Sequence, residues 1–158
     1  MQKEGFTPSR LALADYPISW GHMDYMRHVN NVQYLRFFES ARINAFNDWE
    51  KEALDTQQFM SGVGIGPIMR SCELAWRYPM RYPDTISVAY KVSWIGEDRF
   101  GLKGIIISHN ARKVAARIDE VLVTVNYDDG GTYKVQVPEP WQQILNNSLE
   151  ENKPYVEQ

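Results

Sequence analysis

The chain has 158 residues, 44% of them hydrophobic, 23% charged and 13% aromatic, with a formal net charge of -3. This composition fits one globular domain of ordinary size with enough aromatic carbon for a solid core. The mild negative charge, without blocks of like sign, argues against nucleic acid as the main partner, and no apolar run is long enough to cross a membrane. Cys72 is the sole cysteine, so no internal disulfide can form. A reducing compartment follows, and the polar start from Met1 to Arg10 lacks a signal core, so a cytoplasmic location is expected.

In chain order, residues 1–10 read as a flexible arm. Leu11 to Trp20 predicts a first strand, with Pro17 at an edge or bulge. Gly21 to Arg27 has no period and reads as turn. Asn30 is a good helix cap, three residues before Gln33 in a loose capping box. Leu35, Phe38, Phe46 and Trp49 then recur at helical spacing. Tyr34, Phe37, Ala41 and Ile43 widen the stripe past one face, which predicts a long buried helix ending near Glu52 or Leu54.

Asp55 to Pro67 reads as a polar, glycine-rich connection. The period then becomes two. Ile68 to Tyr78 predicts a strand, with Cys72 beside Leu74 and Trp76 as a small core residue. Further strands are predicted over Ile86–Trp94, Phe100–Ser108 and Lys113–Tyr127. The run Asp128-Asp129-Gly130-Gly131 signals a hairpin whose return arm, Thr132 to Val137, is a short strand. A helical turn around Trp141 and a polar tail over residues 146–158 close the chain. No β-α-β alternation is present. The expected class is α+β: a single domain over residues 11–145, with one long buried helix wrapped by a curved antiparallel sheet of five to six strands.

The stretch Trp20 to Glu39 carries the chemistry. A carboxylate, Asp24, faces the amino end of a helix, a pairing suited to acyl or phosphoryl chemistry. The run Asp24-x-x-x-His28-Val29-Asn30-Asn31-x-x-Tyr34 resembles the 4-hydroxybenzoyl-CoA thioesterase-like branch of the hotdog superfamily. It is also similar to the amino-terminal half of plant acyl-ACP thioesterases. The likeness extends through the helix, the glycine linker and the strand order to about Val137. It implies a hotdog fold, assembly into a homodimer or homotetramer, and an acyl-thioester pocket between two chains. Two positions depart from the pattern. His22 stands where many relatives have an acidic residue, and Met26 where the plant enzymes have an asparagine.

The resulting expectation is an acyl-CoA or acyl-ACP thioesterase of fatty acid metabolism, needing no cofactor beyond its coenzyme A or acyl-carrier substrate. Asp24 would deprotonate water or attack the carbonyl directly. Helix-start amides, that of Asn31 above all, would receive the oxyanion. His28 orients the carboxylate or shuttles a proton, or else is a structural histidine at the helix entry. His22 reads as strand-end surface. Asn30, Tyr34 and Glu39 are candidates for substrate contact. Their alternatives are a helix cap, core packing, and a surface salt bridge from Glu39 to Arg36 or Arg42. Arg99, Lys103, Arg112 and Lys113 are available to coenzyme A phosphates, with solvated strand edges as the simpler account.

Three rivals stand beside this reading. A hotdog hydratase or dehydratase would act on the same thioesters, and a scaffold with a dead pocket would only bind them. A metallohydrolase would need His22, Asp24 and His28 to converge on one ion. No serine lies in a nucleophile elbow, and Gly62, Gly64 and Gly66 form no nucleotide fingerprint.

Overall fold

The computed structural model describes residue 1, residues 5–6, residues 11–50 and residues 56–151. Strand β1 (Leu11–Pro17) leads through a short 3-10 turn into helix α1 (Asn31–Glu50). A short helix, α2 (Thr56–Met60), precedes four strands: β2 (Ile65–Trp76), β3 (Thr85–Ile95), β4 (Arg99–Ser108) and β5 (Lys113–Asn126). Helix α3 (Glu139–Glu151) follows. The predicted end of the long helix near Glu52 or Leu54 lies outside the described residues.

Among the described residues the five strands form one antiparallel sheet in the order β1-β3-β4-β5-β2. The fold class is α+β, as expected. Register shifts between Met69 and Ser71, between Val92 and Trp94 and between Ile106 and Ile107 interrupt the ladders. Such bulges bend a sheet and let it curve around a helix. α1 lies against that sheet. Phe37, Phe38 and Ala41 pack on Ile86, Val88, Ile106 and Ile118. A side chain at Gly104 would come within 3.0 Å of both Phe38 and Tyr90, so glycine is what lets helix and sheet approach here. The far side of α1, with Val32, Arg36, Glu39 and Ser40, is exposed in the single chain.

Beneath α1 lies a buried ion pair. Arg42 Nη1 donates to Glu120 Oε1 at 2.6 Å, and the Tyr90 hydroxyl donates to the same oxygen at 2.9 Å. Both charged residues are buried. Arg42 thus turns inward to β5, and the salt bridge expected between it and Glu39 does not form.

The structure corrects several boundaries. Residues 56–60 of the predicted connection form α2, with Thr56 and Phe59 buried. The hairpin turn after β5 forms through Gly130 and Gly131, both at positive φ, but its return arm is a single bridge, Val125 to Lys134, not a strand. The predicted polar tail is helical as far as Glu151, because Trp141, Ile144 and Leu145 pack with Phe46, Phe59 and Leu122. The predicted arm is anchored at Phe6, which packs on Ala89 and Ile105 under the Lys91 ammonium, 4.6 Å from the ring centre. Cys72 is exposed rather than core, because β2 is an edge strand with only β5 beside it among the described residues.

Candidate active site

After β1, Trp20–His22 make the 3-10 turn, and the Ser19 amide donates to His22 Nδ1 at 3.0 Å. The chain then doubles back on itself. Met23 and Val29 form an isolated antiparallel bridge. The Asp24 amide donates to the His28 carbonyl and the Asn30 amide to the His22 carbonyl, each at 2.9 Å. This miniature hairpin sets Asp24 opposite His28 and ends where α1 begins. Its tip is tight: Arg27 adopts φ of 61°, and its amide meets the Asp24 carbonyl at 3.0 Å.

Asp24 Oδ1 accepts the Met26 amide at 2.9 Å, a local Asx turn that fixes the carboxylate. Oδ2 meets no donor among the described residues, which leaves one oxygen open. So the carboxylate has the capping role that its position in a turn suggests, and keeps a free oxygen beside it. Met26, next along the tip, is exposed.

Asn30 caps α1. Its side-chain oxygen accepts the Val32 amide at 3.0 Å and its carbonyl accepts the Gln33 amide at 2.8 Å. These bonds occupy two of the four orphan donors of the helix start. The Asn31 amide is different: it meets no acceptor among the described residues. A free N–H at the positive end of a 20-residue helix is a ready donor for a developing oxyanion. The Asn31 side chain is exposed.

Tyr34 is buried. Its hydroxyl accepts the Met80 amide at 3.1 Å and sits 3.3 Å from the Tyr78 carbonyl. It thereby pins the loop between β2 and β3 against the helix. Burial lifts the Tyr34 phenol above its usual value, a shift the Met80 amide partly offsets. Glu39 is exposed on α1. His22 lies half-buried with its ring edge-on to Phe37, 5.2 Å between centres. Its Nδ1 is taken by the Ser19 amide, and no trio of His, Cys, Asp or Glu among the described residues is placed to hold a metal ion.

Sequence reasoning missed Arg81. Its guanidinium donates to His28 Nε2 at 2.8 Å across 53 residues of chain. No local pattern signals such a contact. Elsewhere, Ser87 Oγ lies 2.9 Å from His109 Nε2, and His109 Nδ1 lies 3.7 Å from Asp15 Oδ1. The order is that of a nucleophile, base and acid, but Ser87 is buried and its hydroxyl also receives the Asp15 amide at 3.4 Å. This constellation ties β1 to β3.

A curved antiparallel sheet around a long helix, with a carboxylate hairpin at the helix start, defines a hotdog protein. The model of the thioesterase-like superfamily matches residues 18–146. The chain belongs to that superfamily, and thioester hydrolysis is the general chemistry this supports. Comparison with curated proteins finds no sequence match.

Solved structures share the fold at low identity. A thioesterase from Thermus thermophilus in complex with coenzyme A and zinc has a TM-score of 0.70 and 21% identity, covering 96% of this chain and 99% of that one. A 1,4-dihydroxy-2-naphthoyl-CoA thioesterase from Synechocystis has a TM-score of 0.68 and 18% identity, covering 84% and 93%. A DHNA-CoA thioesterase from Staphylococcus aureus has a TM-score of 0.68 and 15% identity, covering 89% and 91%.

Proposed function

We propose that the chain hydrolyses an acyl thioester of coenzyme A or of an acyl carrier protein, releasing free acid and thiol. The observation that carries this is the open Asn31 amide at the head of α1, at the end of the short hairpin that holds Asp24. Asp24 Oδ2 takes a proton from water as the water attacks the carbonyl carbon, or attacks that carbon itself. The oxyanion is received by the Asn31 N–H and the helix dipole. When Asp24 acts as base, collapse of the intermediate expels the thiolate, which takes up the proton held by Asp24. When Asp24 attacks, expulsion of the thiolate leaves a mixed anhydride that water hydrolyses to the free acid, restoring the carboxylate and supplying the proton for the thiolate.

Asp24, His28 and Asn31 are the catalytic groups of this proposal. Of the residues expected at the substrate, Asn30 and Tyr34 act by holding the helix start and the Tyr78–Met80 loop, while Glu39 is open to substrate. Trp20, Tyr25, Met26, Val32 and Tyr82 are exposed around the hairpin and offer an apolar surround to an acyl group. The fold shared with a coenzyme A complex and with naphthoyl-CoA thioesterases supports a coenzyme A thioester as the substrate. A cytoplasmic setting and a role in fatty acid metabolism belong to the same proposal.

The purified chain should release thiol from at least one member of a panel of short, long and aromatic acyl-CoAs, read with a thiol reagent. No release from any of them, nor from acyl carrier thioesters, contradicts the proposal.

A second copy of the chain completes the proposed assembly. The outer edge of β2 carries exposed Ile65, Ile68 and Trp76, with Val63 just before it. A long apolar edge strand left bare invites pairing with another chain. Sedimentation equilibrium should therefore give a homodimer or homotetramer. A monomer at micromolar concentration would contradict the assembly.

A further inference from the structure

We infer that Arg81 is a positioning residue that holds His28 as the neutral ring with its proton on Nδ1, so that His28 serves the site as a hydrogen-bond donor and leaves proton acceptance to Asp24. The inference rests on the proposed thioester hydrolysis for its catalytic meaning, but not for its geometry.

Arg81 is delivered to the hairpin by its own backbone neighbours. The Met80 carbonyl accepts the Val29 amide at 2.9 Å, and the Met80 amide donates to the buried Tyr34 hydroxyl at 3.1 Å. On the other side, the Tyr82 amide points at the Met23 sulfur, 3.4 Å away. Met80 is fully buried. Residue 81 is thus clamped at both ends to the two residues, Met23 and Val29, whose bridge closes the Asp24 hairpin.

The contact itself sets the ring's state. A guanidinium has only donors, so His28 Nε2, at 2.8 Å from Arg81 Nη2, must present its lone pair. The proton of the neutral ring then resides on Nδ1, which meets no partner among the described residues. A second proton would set N–H against N–H at Nε2 and break the contact. Held this way, His28 offers an N–H to a substrate oxygen or to the departing thiolate. It does not compete with Asp24 for the proton of the attacking water.

Long-range proton–nitrogen spectra of ¹⁵N-histidine protein report the tautomer of each ring directly. His28→Gln assigns its signals among the three histidines. At mildly alkaline pH the wild type should show His28 with a bare Nε2 and a protonated Nδ1. Arg81→Gln should lose that single state and give a tautomer mixture, whereas Arg81→Lys, which keeps a donor, should restore most of it. A protonated Nε2 in the wild type would overturn the inference, as would an unchanged His28 spectrum in Arg81→Gln. Because the spectra need no substrate, absence of thiol release would count against the hydrolase reading alone.

Discussion

Replacing Arg42 with alanine should lower the stability of the chain by about 3–5 kcal/mol, the usual result of breaking a buried ion pair from one side. The Glu120 carboxylate would stay beneath α1 with the Tyr90 hydroxyl as its remaining donor among the described residues, where its Oε2 has no hydrogen-bond partner even before the substitution. For a chain of this length the loss lowers Tm by roughly 10 °C. Replacing both partners by apolar residues, Arg42→Met with Glu120→Leu, should recover most of it, since no charge is then stranded. A single-variant loss under about 1 kcal/mol in denaturant melts would show that the pair matters little.

The same pair gives a pH signature. Burial lifts the Glu120 carboxyl above its ordinary value, and Arg42 and Tyr90 offset only part of that. The folded chain therefore holds this proton more tightly than the unfolded chain. Its contribution to stability is complete below the unfolded value and is lost as pH rises through the folded one. Acidifying from neutral pH toward the ordinary carboxylate value should thus stabilise the wild type relative to Glu120→Gln. The opposite trend would contradict the assignment.

Asp24→Asn should have the larger functional effect. Asparagine keeps an oxygen at the Oδ1 position, so the bond to the Met26 amide and the tight turn survive. It cannot take a proton from water or form an anhydride. A general base is worth roughly 10²–10⁴ in rate, and loss of that order is expected in kcat. The backbone donor at Asn31 is untouched, so residual catalysis from oxyanion binding should remain.

Much of this was legible from local pattern. The Asn30 cap, the helical spacing of Leu35, Phe38 and Phe46, and the period-two strands each act within a few residues, and the sequence displays them. The motif also placed Asp24 and His28 on one turn. What escaped reading has a physical reason in each case. α2 spans one turn or so, too short to show a period. The start of α3 reads as a helical turn around Trp141, but beyond Leu145 only Leu149 keeps the apolar spacing, so the polar residues from 146 onward read as tail. Alternation in β2 reveals two faces without revealing that neither is well covered at an edge, so Cys72 was misplaced. Arg42 and Glu120 are 78 residues apart, and Arg81 and His28 are 53 apart, contacts that only the folded topology creates.

The central claim is that the Asp24 carboxylate at the helix start performs thioester hydrolysis. It is tested most directly by steady-state thiol release from one acyl-CoA substrate by wild type and by Asp24→Asn, with melting curves and oligomeric state compared in the same preparations. The account predicts a fall of at least ~100-fold in kcat with Tm and assembly unchanged. Equal turnover by the two proteins would contradict it.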